Sequence, residues 1–200
     1  MNVPRLPRGF RYVETIDLMR SRATLKAVVA LMLVLAALTA ALGALLCPVG
    51  EGIAAIRRQP WLLAAALAAY IAYIPLHEWI HGIFMWALSG VKPRYGLQLP
   101  YYAWAGSSAW FDRRSHNVIA LAPLALFTAL LALAAARLPR DWFWPVWLIM
   151  IGHVSGCAGD VWCAAHIGRM EGEILVQDTG VRMRVYRQAA GPDDHREPEK

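Results

Sequence analysis

Four long apolar runs constrain this chain more than any other feature: residues 24–46, 61–88, 118–136 and 142–167. At about 1.5 Å per helical residue, a run of this length spans the ~30 Å of hydrocarbon in a bilayer. Inside hydrocarbon each backbone N–H and C=O must find its partner within the protein, and helices meet that demand one segment at a time. The expected fold class is therefore all-α integral membrane, with four transmembrane helices. A short cytoplasmic β-hairpin is expected near the C-terminus. There Ile174, Val176, Val181, Met183 and Val185 alternate with polar residues around Asp178-Thr179-Gly180.

The composition agrees, at 58% hydrophobic and 17% charged residues. The net charge of +6 comes from basic residues flanking the apolar runs, where they suit topology and anionic headgroups; nucleic acid is not an expected partner. Cys47, Cys157 and Cys163 form no C-x-x-C pair, and their odd number implies no disulfide framework. The first run exceeds the 7–15 residues typical of a signal-peptide core. The bulky Leu46 before Cys47 also disfavours a lipoprotein cleavage site, so the run is read as an uncleaved span.

The expected organisation is a basic cytoplasmic segment over 1–23, a four-span unit over 24–187 and a disordered tail over 188–200. Pro4 and Pro7 argue for an irregular start, and residues 47–60 read as a short connection. The 89–115 loop is polar and aromatic. It suits either a hairpin dipping toward the membrane or an interfacial aromatic belt. The N-terminus, this loop and the C-terminal region are richly basic, whereas the other two connections carry two arginines each. Four spans and the positive-inside rule then place both termini in the cytoplasm of a multi-pass cell-membrane protein.

The second run contains His77-Glu78-Trp79-Ile80-His81, an HExxH sequence. Helical residues four apart share a face, so His77 and His81 can offer two imidazoles to one metal ion. Glu78 lies beside them as a candidate general base toward the attacking water. Two histidines bonded to neighbouring helices would be the plain structural alternative. Ionisable groups within a membrane are costly, however, and that favours function. Pro75 removes one backbone hydrogen bond just before the motif and can bend the helix.

A catalytic zinc usually takes three protein ligands. The fourth run offers His153, Asp160 and His166. Counted from Trp61 and Trp142, His77 and His81 lie 16 and 20 residues in, and Asp160 lies 18 residues in. His153 and His166 miss that level by roughly 10 Å and 9 Å. Asp160 is therefore the expected third ligand. His153 is a candidate supporting or substrate-facing group, and Cys157 is more simply a packing residue. Gly152-x-x-x-Gly156 is a small-residue pattern that permits close helix approach.

His77-Glu78-x-x-His81-Gly82 in one span, followed by Gly159-Asp160 in a later one, resembles the Putative zincin peptidase family of small integral membrane proteins. The resemblance covers about residues 60–187, including the segments around Ala122-Pro123 and Gln177-Asp178. More distantly it is similar to the site-2 intramembrane metalloproteases, in which HExxH on one span pairs with an Asp from a later span. There the Asp is followed by Gly; here Gly159 precedes Asp160 and Val161 follows. The resemblance implies zinc held by His77, His81 and Asp160, with Glu78 as base. The expected function is hydrolysis of peptide bonds in or near the membrane, with a membrane-embedded or membrane-adjacent protein as substrate. The alternative is a non-catalytic membrane protein with a structural metal site or a partner-binding role.

Overall fold

A computed structural model describes residues 2–18, 20–98, 102–180 and 182–189. The chain is mostly helical, and four of its segments are long and apolar enough to cross a membrane. The first is α1, Arg22–Leu46. Ser21 caps it by accepting a hydrogen bond from the Thr24 N–H at 3.3 Å. The second segment is α3, Trp61–Ser89, which ends at Gly90 with φ +70°, the left-handed conformation that glycine adopts freely.

The third segment is α4, Arg113–Arg137. It starts five residues before the apolar run of the sequence. The Asp112 carboxylate accepts from the Ser115 N–H at 2.8 Å, and this cap draws the polar stretch Arg113–Asn117 into the helix.

The fourth apolar run is not one helix. It divides into α5, Phe143–Gly156, and α6, Ala158–Gly168, with the break at Cys157. The break follows a glycine and Ser155, whose hydroxyl donates back to the Ile151 carbonyl at 2.7 Å; both weaken the local ladder. Residues 47–60 also differ from a plain connection, because Val49–Arg58 form a short helix, α2. Pro48 stands just before its first residue, and Glu51 in its first turn with Arg57 and Arg58 in its last complement the helix dipole.

The chain is mostly helical, as expected, but its β-structure exceeds the expected hairpin. Strands β5, Ile174–Asp178, and β6, Met183–Gln188, do form that hairpin. They are joined by β1, Phe10–Ile16, and β4, Phe111–Asp112, in an antiparallel sheet ordered β1-β6-β5-β4. The N-terminal segment is thus partly a strand. Its pairing with the free edge of β6 is a long-range interaction that local composition does not announce. A separate hairpin pairs β2, Arg94–Gln98, with β3, Tyr102–Gly106, in the aromatic loop. Val181 and residues 190–200, most of the expected tail, lie outside the described residues.

This sheet fixes the sidedness of the bundle. It gathers strands from the N-terminal segment, the α3–α4 loop and the C-terminal segment, which therefore lie at one end. At the other end Arg58 and Gln59 hold Asp141 at 2.9 Å each, and Arg140 holds Glu51 at 3.0 Å. Beneath the sheet, Ile16, Ile174, Val176 and Val185 pack on Cys163 and Ile167 of α6. Within the bundle, Gly152 of α5 leaves room for the Tyr70 ring of α3: a Cβ there would lie 2.7 Å from it. Leu33, Leu38, Leu67, Ile71, Leu130 and Leu133 face outward and exposed, as helices meeting hydrocarbon require.

Candidate metal centre

Two helices, α3 and α6, bring the motif residues together. His77 and His81 stand one turn apart on α3, with Nε2 atoms 3.1 Å from each other. The break at Cys157 puts Asp160 in the first turn of α6, near the positive end of that helix. Its two carboxylate oxygens lie 3.3 Å from His77 Nε2 and 3.6 Å from His81 Nε2. Of the three candidates in the fourth run, Asp160 is the one whose carboxylate stands beside both histidines, on a helix separate from α5.

The hydrogen bonds of the other ring nitrogens assign the tautomers. His81 Nδ1 is 2.9 Å from the Ile119 carbonyl, which can only accept, so Nδ1 carries the proton. His77 Nδ1 is 2.7 Å from the Tyr73 hydroxyl, and the same hydroxyl is 2.7 Å from His153 Nδ1. His153 Nε2 lies 3.3 Å from the Leu124 carbonyl and 3.1 Å from Thr128 Oγ1. A neutral His153 therefore donates through Nε2 and accepts through Nδ1. Tyr73 then donates to His153 and accepts from His77 Nδ1–H. Both metal-facing Nε2 atoms are left with lone pairs.

With both imidazoles neutral, the atoms facing one another here are all acceptors. Two imidazole lone pairs and two carboxylate oxygens converge at 3.1–3.6 Å. Ligand atoms about 2.0–2.1 Å from a tetrahedral ion are spaced by roughly 3.3–3.4 Å, so the donor set fits zinc in both chemistry and spacing. A second set of ligand atoms, from His77, His153 and Cys157, also lies within one ion's reach. There, however, the Tyr73 hydroxyl already bridges the two histidines.

Glu78 joins His77 and His81 in a further group of close ligand atoms, and the Ala105 backbone in β3 hydrogen-bonds to it. These residues open on a cavity of about 390 Å³ between α3, α4, α6 and the sheet end of the molecule. Asp17, Asp178 and Arg182 also line it, and Arg182 Nε donates to Asp17 at 3.3 Å. Burial pushes the Asp178 carboxyl up to about 6, reinforced by the negative charge of Asp160 and opposed by the Gly180 N–H and by His81.

His153 is fully buried and is hydrogen-bonded to the Tyr73 hydroxyl that also bonds His77. His166 is elsewhere, bonded to Glu14 at 2.7 Å and stacked on Trp162. The sequence reading missed Tyr73 and His116. Tyr73 is four residues before His77, and that spacing alone could have placed it on the same face. His116 sits in the polar first turn of α4, outside the apolar run, and lines the cavity at 3% exposure.

Residues 70–175 match the model of the family described as Putative zincin peptidase. No curated protein and no solved structure matches the chain.

Proposed function

The chain belongs to the Putative zincin peptidase family, and from that premise we propose that it is a membrane-embedded zinc metallopeptidase cutting peptide bonds in or near the bilayer. The observation that carries the reading is the convergence of His77, His81 and Asp160 as acceptors at 3.1–3.6 Å beside the Glu78 carboxylate. The two histidines would hold zinc through Nε2 and Asp160 through its carboxylate. Bound there, zinc supplies Lewis-acid polarisation of the scissile carbonyl and lowers the pKa of water.

The remaining chemistry belongs to the chain. Glu78 takes the proton of the attacking water and returns it to the leaving amine. The Ala105 backbone hydrogen-bonds to that carboxylate and helps hold it in the cavity. The cavity, lined by sheet-end residues such as Asp17 and Arg182, gives water and an unfolded peptide a route in from one side. The basic loops favour the cytoplasm for that side. A reporter fused after Lys200 that read as external would overturn this orientation. The substrate is accordingly a membrane-embedded or membrane-adjacent protein segment.

Glu78→Gln tests the catalytic part. It keeps the side chain's size and removes the base, so zinc content should match wild type while turnover falls about 10²–10⁴-fold. Membrane proteomes of cells carrying wild-type or Glu78→Gln protein should differ in cleavage products. Matching proteomes, with Glu78→Gln complementing a deletion as well as wild type, would favour a structural metal site instead.

A further inference from the structure

The carbonyl that orients His81 lacks its usual helix donor because of a proline. In an α-helix the carbonyl of residue i accepts from the N–H of residue i+4. For Ile119 that residue is Pro123, which has no N–H to give. Pro123 sits inside α4, and its ring is fully buried. Ile119 and Ala120 beside the carbonyl are 3% and 7% exposed. A buried carbonyl must find a partner, and this one has His81 Nδ1 at 2.9 Å. A residue with an N–H at position 123 would compete for the same oxygen.

We infer that Pro123 is a positioning residue for the metal centre: by withholding a backbone donor it leaves the Ile119 carbonyl to His81 Nδ1–H, so that the Nε2 lone pair faces the ion. The inference rests on the metal-centre reading above. It explains why an interior proline stands at this turn of α4. The two ligands are then locked by different devices. His77 is held through Tyr73 and His153, whereas His81 is held by a backbone oxygen. Helix α4 anchors both, since His153 ends on the Leu124 carbonyl and Thr128. Partners of this kind fix the ring and raise the basicity of the ligand nitrogen, and their loss typically costs about 10–100-fold in metal affinity.

The test compares the detergent-solubilised full chain as wild type, Pro123→Ala, Pro123→Val and His81→Ala. Zinc affinity is measured by competition with a chromophoric chelator, and the ligand field by the visible spectrum after cobalt(II) substitution. Both Pro123 variants restore the N–H, and valine also refills most of the ring's volume. Both should bind zinc about 10–100-fold more weakly and show a changed cobalt spectrum. The helical content and melting temperature of the metal-free Pro123→Val protein should stay at or above wild type, because a helix hydrogen bond is gained. Wild-type affinity and spectrum in both variants would overturn the inference. So would a loss confined to Pro123→Ala, which would trace to the missing ring volume. If wild type and His81→Ala both held no zinc, the metal-centre reading itself would fail, a separate result.

Discussion

His77 Nε2 stands 3.3 Å from a carboxylate oxygen of Asp160, on a different helix, with His81 Nε2 3.6 Å from the other oxygen. With the Nδ1 protons engaged by Tyr73 and Ile119, neither contact has a proton to share unless an imidazole becomes charged. A divalent ion bound there, as proposed, would resolve this arrangement without charging an imidazole. Purified wild-type protein should accordingly carry one zinc per chain, and His77→Ala and Asp160→Ala should each lose it. His166→Ala should keep it, because His166 is paired with Glu14 away from the cavity. Full occupancy in Asp160→Ala would remove that carboxylate from the centre.

Tyr73→Phe isolates the link to His153. It deletes one hydroxyl, and with it the two 2.7 Å bonds that hold His77 Nδ1 and His153 Nδ1. Zinc affinity should drop about 10–100-fold, as for other partners of metal-bound histidines. Stability should change by only about 1–3 kcal/mol for the buried groups left unpaired. Isothermal titration beside thermal melting separates the two effects. Unchanged affinity in Tyr73→Phe would make the link a packing feature only.

The four apolar segments are legible in the sequence because they rest on local composition, and spacing and depth along a helix single out His77, His81 and Asp160 as candidates. The sequence does not carry β1, whose partner β6 lies at the opposite end of the chain, nor the break at Cys157. It also conceals His116, which lies outside the apolar run, whereas the Asp112 cap starts α4 earlier. The Tyr73–His153 link needed coordinates, since one hydroxyl between two helices leaves no spacing signal across them.

Asp178 gives the account a pH dependence. Its carboxyl is raised from 3.8 to about 6, chiefly by burial. The folded state therefore holds this proton more tightly than the unfolded state does. The side chain's contribution to stability is greatest below about pH 4, falls as pH rises toward about 6, and is flat above. The whole loss is at most about 3 kcal/mol, and less where solvent screens the half-buried group. In chelator-treated protein, Asp178→Asn should flatten the melting curve against pH over that window and raise stability at pH 7 relative to wild type. Parallel curves for the two proteins would contradict this.

X-ray absorption at the zinc edge of the purified, zinc-loaded protein bears most directly on the central claim, that His77, His81 and Asp160 form the centre. The account predicts a first shell of nitrogen and oxygen only, at about 2.0–2.1 Å, with two imidazoles, and loss of the signal in His81→Ala. A sulfur scatterer at about 2.3 Å would contradict it. That result would move the ion to His77, His153 and Cys157, away from Glu78 and Asp160.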